Sequence, residues 1–131
     1  LGSRNVAGKL GIKPSMTIWL SDLDRGGLIE PLPENVVVTS GIAQSTIAIL
    51  FADDAKSIRD KFSWVNNNLF APKSLWIAYP KANRTDINRD SLWPILGEFG
   101  MRPISQVALN DVWSVLRFRK LHDGEAAFTG G

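Results

Sequence analysis

Ser74-Leu-Trp-Ile-Ala-Tyr-Pro-Lys81, continued by Ala82-Asn-Arg-Thr-Asp86, decides the fold. Leu75 to Tyr79 is an unbroken apolar run. A strand with one face in water alternates polar and apolar residues, whereas a strand covered on both faces does not. Pro80 stops the run, since proline has no N–H to donate to a ladder. Lys81, Arg84 and Asp86 then gather at its carboxyl end. In an open α/β sheet ligands bind at that end of the strands. The stretch therefore predicts a central buried strand and a candidate ligand site made of Tyr79, Lys81, Arg84, Thr85 and Asp86.

Working outward, Val6 to Leu10 reads as a short helical turn closed by Gly11. Met16-Thr-Ile-Trp-Leu20 reads as a first buried strand, followed by the polar loop Ser21-Asp-Leu-Asp-Arg-Gly-Gly27. Leu28 to Leu32 fits a helical turn limited by Pro33, and Val36 to Thr39 a short β-branched strand. Thr46 to Ala52 is the clearest strand of the first half, and Asp53-Asp54 stand where a helix would be capped. Ile58, Phe62, Val65 and Leu69 then recur at spacings of four, three and four, one face of a helix over 56–69. Lys56, Arg59 and Lys61 alternate with Asp60 elsewhere on it, and Pro72 ends any continuation.

Asn88 is a fitting N-cap for a helix through about Phe99, with Leu92, Ile95, Leu96 and Phe99 facing the sheet and Gly100 closing it. Pro94 lies beyond the first turn, so it removes a backbone bond and should kink the helix. Ile104 to Leu109 and Trp113 to Arg119 alternate and are joined through Asn110-Asp111, the pattern of a hairpin.

Strands separated by helices, with a hairpin last, predict an α/β fold: a three-layer Rossmann-like mixed sheet with a parallel centre and a C-terminal antiparallel hairpin. One domain over residues 1–120 is expected, followed by a frayed tail over 121–131. One detail resists a fully parallel centre. Only Ser40 to Ser45 separate the 36–39 segment from the next strand, and a parallel crossover needs about a dozen residues. The segment is therefore expected to be antiparallel to its successor or a marginal edge strand.

Composition narrows the function classes. With 44% apolar and 21% charged residues over 131 positions, the chain can bury a genuine core without staples. It has no Cys, which excludes disulfides, thiolate metal sites and Cys nucleophiles and fits a reducing cytoplasm. No run approaches the roughly 18–20 apolar residues of a membrane span, and the first residues carry no secretory signal. The formal charge is only +2 with the basic residues scattered, where a nucleic-acid reader shows a basic stripe, so that class is disfavoured.

Taken in order, several of these segments resemble a known pattern. Lys9-Leu-Gly-Ile-Lys-Pro-Ser15, Leu32-Pro33, Ile47 to Phe51, Leu75-Trp-Ile-Ala-Tyr-Pro-Lys81, Thr85-Asp86 and Asn110-Asp-Val-Trp-Ser-Val-Leu-Arg-Phe118 are similar to a family of small bacterial proteins classed as a domain of unknown function. The likeness covers about residues 6 to 120. This chain has Ser15 where that family usually has Gly, Tyr79 where it often has Trp, and Ala82 where a second Lys is common. The resemblance implies a shortened class I methyltransferase layout and brings no activity with it.

The residues themselves argue against the chemistry of such an enzyme. A nucleotide-binding turn after the first strand needs glycines so that backbone can approach the cofactor. Here Gly26-Gly27 come late, and Asp22 and Asp24 would repel a phosphate, although an Asp could hold a ribose. No cofactor is therefore expected. Lys81 and Arg84 could hold an anion, with Asp86 or Tyr79 orienting it; the favoured reading is that Thr85 and Asp86 support the next helix start while Lys81 and Arg84 stay solvated. Asp53-Asp54 could supply a base or a metal carboxylate, but no His or Glu stands near in sequence. His122, the sole histidine, lies in the tail without a partner.

Trp19, Trp76 and Trp113 fall on strands and read as packing. Trp64 and Trp93 lie off their helices' apolar stripes, where each could cover a flank or meet a partner. The leading expectation is a non-catalytic binding or interaction domain, with self-association open. The alternative is a small-ligand protein recognising an anionic metabolite or nucleotide after residue 80.

Overall fold

Short apolar runs bounded by turns must satisfy their backbone by pairing, and in the computed structural model of this chain they do so in one six-stranded sheet. The structure describes residues 6–29, 32–65, 72–80, 89–109 and 112–120. The strands are β1 (Thr17–Leu20), β2 (Val37–Val38), β3 (Ile47–Phe51), β4 (Ser74–Pro80), β5 (Met101–Ala108) and β6 (Trp113–Lys120). Their order across the sheet is β2-β1-β3-β4-β6-β5. The first four are parallel, β6 is antiparallel to β4, and β5 is antiparallel to β6. The last strand thus inserts between β4 and β5, and the predicted fold class holds.

Period-two alternation sends successive side chains to opposite faces, and both faces are covered. On one, Ala48, Leu50, Leu75, Ile77, Tyr79, Leu116 and Phe118 pack with Ile58 and Phe62 of α2 (Ala55–Val65) and with Leu92, Ile95 and Leu96 of α3 (Arg89–Glu98). On the other, Ile18, Leu20, Ile49, Phe51, Trp76 and Val115 pack with Leu10 and Ile12, which follow α1 (Val6–Lys9), and with Ile29 of a 3-10 helix, Leu23–Ile29. Three layers result. Because β3 and β4 lie in the middle, β3 is buried along its whole length and β4 from Leu75 onward.

The helix termini follow local chemistry. Asp54 Oδ1 accepts the Ser57 backbone N–H at 2.8 Å, capping α2. Of the stripe read from spacing, Ile58 and Phe62 pack as expected: Phe62 meets Phe99 in a tilted contact and Phe118 edge-on, with centroids 4.8 and 5.9 Å away. Each buried α2 anchor contributes about 1.5–3 kcal/mol of transfer free energy. Pro94 lies inside α3 as expected, and Gly100 leaves the helix with φ of 73°, a conformation that glycine takes without strain. The N-cap assigned to Asn88, the Leu69 end of the α2 stripe, the Asn110-Asp111 turn and the 121–131 tail lie outside the described residues.

Two expectations need correction, and the alternative left open for the 36–39 segment is decided in favour of an edge strand. The loop after β1 is in fact the 3-10 helix Leu23–Ile29, which places Ile29 in the core. The 36–39 segment is not antiparallel to its successor: β2 pairs parallel with β1, and β1 separates it from β3. It is an edge strand, with both residues exposed. The connection can be short because β2 is so short. Thr39 N donates to Ile18 O and Thr46 N to Thr17 O, so the chain steps over β1 at nearly constant height through a 3-10 turn, Ile42–Gln44. Finally, β5 begins at Met101, ahead of the predicted Ile104. The register shifts between Pro103 and Ser105, and this bulge breaks the alternation that would have revealed the earlier residues.

Candidate functional site

The parallel strands β1 and β3 end side by side, and the chain leaves them toward different neighbours, which makes this edge the crevice where an open α/β sheet takes ligands. Here the crevice is crossed by the protein's own polar network. Ser21 follows β1: its N–H donates to Ile49 O at 3.0 Å, and its hydroxyl accepts Phe51 N–H at 2.8 Å and donates to Asp22 Oδ1 at 2.7 Å. Lys61 reaches the same carboxylate from α2 across the end of β3. Its Nζ is 2.7 Å from Asp22 Oδ1 and also donates to the Phe51 carbonyl. Only 6% of Lys61 is exposed, so this ammonium is committed to the network and is not a solvated surface charge.

A second pair stands beside the first. Arg25 Nη2 donates to both carboxylate oxygens of Asp53 at 2.9 Å, tying the 3-10 helix to the start of α2. The guanidinium lies 5.1 Å from the ring centroid of Trp113, at the start of β6, and Trp113 in turn meets the Phe51 ring edge-on. Burial by itself would push the Asp22 carboxyl up, but hydrogen bonds from Lys61 and Ser21 and the charges of Lys61 and Arg25 outweigh it and hold the group below its ordinary value. Burial likewise counts against the Arg25 charge, and the Asp53 carboxylate more than offsets it.

Next to this network, where β1 and β2 end, an open apolar groove of about 290 Å³ is lined by Leu20, Leu23, Gly26, Gly27, Leu32 and Val38. Leu23, Val37 and Val38 are exposed around it.

Of the residues expected to form a site after β4, only Tyr79 belongs to the described part. Its side chain is buried on the α2–α3 face, where its hydroxyl accepts Gln106 Nε2 at 2.8 Å. The same nitrogen donates to Ser114 Oγ at 3.0 Å, and Ser114 donates to the Val107 carbonyl. Lys81, Arg84, Thr85 and Asp86 lie outside the described residues, as does His122. Asp54 is the cap it was expected to be, whereas Asp53 serves Arg25. Trp19 and Trp76 pack into the two core layers, and the side chains of Trp64 and Trp93 lie outside the described set. Among the described residues no group of three His, Cys, Asp or Glu could hold a metal ion, and no helix is long and apolar enough to cross a membrane.

Lys61 escaped the sequence reading because it alternates with Asp60 as a solvated face does. One signal was present: positions 58, 61, 62 and 65 form an i, i+3, i+4, i+7 stripe, which puts Lys61 on the buried side. Nothing local marks Arg25, whose partner is 28 residues away.

No protein-family model matches the chain, and no curated protein matches it, so the likeness to the small bacterial family rests on the quoted residues alone. Solved structures do match. A protein of the NADB-Rossmann superfamily from Streptococcus agalactiae superposes with a TM-score of 0.55 at 10% identity, over 97% of this chain and 72% of its own. The fold is Rossmann-like. A proposed tRNA (m1A22) methyltransferase from Streptococcus pneumoniae, solved with S-adenosyl-L-methionine, superposes with a TM-score of 0.46 at 12% identity, over 84% of this chain and 56% of its own.

A pyrophosphate-bearing cofactor, which this fold often carries, does not fit the residues present. The turn after β1 opens with Ser21-Asp22 and has no glycine at the strand end. It leads into a 3-10 helix with Asp24 in its first turn, not into an α-helix whose N–H groups could take a phosphate. The Ser21 and Phe51 N–H groups at the crevice already have acceptors.

Proposed function

We propose that this chain is a Rossmann-like binding module that works by holding a partner or small molecule, and not by cofactor-dependent catalysis. One observation carries this reading: the Lys61–Asp22 and Arg25–Asp53 pairs span the strand-end crevice where an open α/β sheet takes its ligands. Two buried or half-buried cations facing two carboxylates balance in charge, so no net charge is left to recruit a phosphate, although Arg25 Nη1 is buried without a hydrogen-bond partner among the described residues. To open the crevice, a nucleotide would have to displace the Lys61 ammonium from a site where burial makes an unpaired charge costly.

The loop after β4 supports a second, compatible reading, in which Lys81 and Arg84 take a small anion and Thr85 and Asp86 fix its orientation; Tyr79, buried with its hydroxyl on Gln106, takes no part. What favours it is the end of β4. Pro80 is buried and pairs with Trp113, so β4 ends at the carboxyl edge of the sheet, where Trp113 also meets Arg25.

Thermal-shift titration with S-adenosylmethionine, NAD, nucleotides and sugar phosphates tests both. A ligand at a hundred times its Kd stabilises by about 2.7 kcal/mol. The first reading expects no response to S-adenosylmethionine or NAD; amide shifts at residues 21–27 on adding either would overturn it. The second expects a response to an anionic metabolite that disappears in Lys81→Ala and Arg84→Ala. A response unchanged by both substitutions places the ligand elsewhere.

A further inference from the structure

At the opposite end of the sheet, on the face covered by the segment after α1, two buried donors have no acceptor among the described residues. They are Trp76 Nε1 and Arg117 Nε. The two residues are direct cross-strand partners between β4 and β6, so both side chains leave the sheet on the same face with Cβ atoms roughly 4.5–5.5 Å apart. Trp76 is 4% exposed, which leaves its indole N–H no access to bulk water. Arg117 Nη2 donates to Ser74 Oγ at 3.2 Å, which leaves the serine's own proton available as a further donor. Among the described residues no carboxylate is paired with Arg117. The bulge at Pro103–Ser105 lies beside Arg117, the kind of irregularity that re-aims side chains next to sites.

Buried donors without acceptors are rare in folded proteins, so a pair of them with no acceptor among the described residues calls for a bound one. The geometry points to a phosphate-class oxyanion site on this sheet face, with Trp76 Nε1, Arg117 Nε and Ser74 Oγ as its donors. A tetrahedral oxyanion offers several acceptor oxygens to three donors at once, and a guanidinium is the side chain best matched to it. Arg117 is half-buried while both donor nitrogens are shielded from solvent, so the anion enters as the outer part of the Arg117 side chain moves aside. The site is remote from the β1–β3 crevice and independent of the function proposed above.

Inorganic phosphate is the probe, titrated against chloride at equal ionic strength. Two readouts are taken: the melting temperature, and the indole N–H resonance of Trp76 assigned through Trp76→Phe. Phosphate at about ten times its Kd is expected to raise Tm by roughly 5 °C. It should also move the Trp76 indole signal downfield, and both effects should be lost in Arg117→Gln. If Arg117→Gln does not fold, the indole shift in the wild-type chain decides alone. O-phosphoserine titrated in parallel separates a free anion from a phosphorylated side chain: a response to phosphate only indicates the former, a response to both the latter. An equal response to chloride, an unmoved Trp76 signal, or a phosphate response that survives Arg117→Gln would overturn the site.

Discussion

Replacing Lys61 by Met isolates what the crevice network contributes. Met keeps the length and apolar stem of the lysine, so the packing against α2's neighbours is nearly conserved. Two interactions are lost. The Phe51 carbonyl loses its Lys61 donor at a buried position, which costs about 1–3 kcal/mol. Asp22 loses its ion pair, but its side chain is 25% exposed and keeps the Ser21 hydroxyl, so this part is nearer to the roughly 1 kcal/mol of a surface pair than to the ~3–5 kcal/mol of a sealed one. Relief from burying the ammonium offsets some of the total. A net loss of about 2–3 kcal/mol is expected. With a urea m-value of about 2 kcal/mol/M, the denaturation midpoint should fall by roughly 1–1.5 M with m unchanged. A double-mutant cycle with Asp22→Asn should return a coupling of about 1 kcal/mol. A midpoint that stays put or rises, or a coupling of zero, would refute the claim that this lysine is held by the network.

The remaining predictions concern the same scaffold. The native Asp22 carboxyl lies below its ordinary value of 3.8, so its contribution is fully present above that value and is lost as pH falls through the lower native one. Wild type should therefore lose its stability advantage over Asp22→Asn in that acid window; Glu98, held low by Arg59, titrates in the same direction, so the difference between the two chains is the measurement to make. Ser15 adopts φ of 67°, where a side chain is strained, so Ser15→Gly should raise stability by about 0.5–1 kcal/mol in urea melts; a destabilised variant would contradict this account of the turn. Phe62, 1% exposed between α2, α3 and β6, should cost about 3–5 kcal/mol as Phe62→Ala, and a loss below 1 kcal/mol would mean the α2–sheet core is not packed as described.

The amino-acid sequence by itself determined the elements and the fold class. Leu75 to Tyr79 and Ile47 to Phe51 are apolar without alternation, and their shortness and bounding residues mark them as strands of a sheet covered on both sides. Ile58 and Phe62 announce a helix to cover one of those sides, and Asp54 announces where it starts. These are local properties, set by spacing and by the chemistry of single residues. Tertiary structure alone decided what depends on partners far apart in the chain. Whether Val37-Val38 pairs with β1 or β3 is a contest between strands that local pattern cannot settle, and the two-residue length of β2 resolved it. Asp22, Arg25, Asp53 and Lys61 each read as ordinary loop or surface charges. They become a closed crevice only because parallel pairing brings the ends of β1 and β3 together under one helix, where a buried charge must find its opposite.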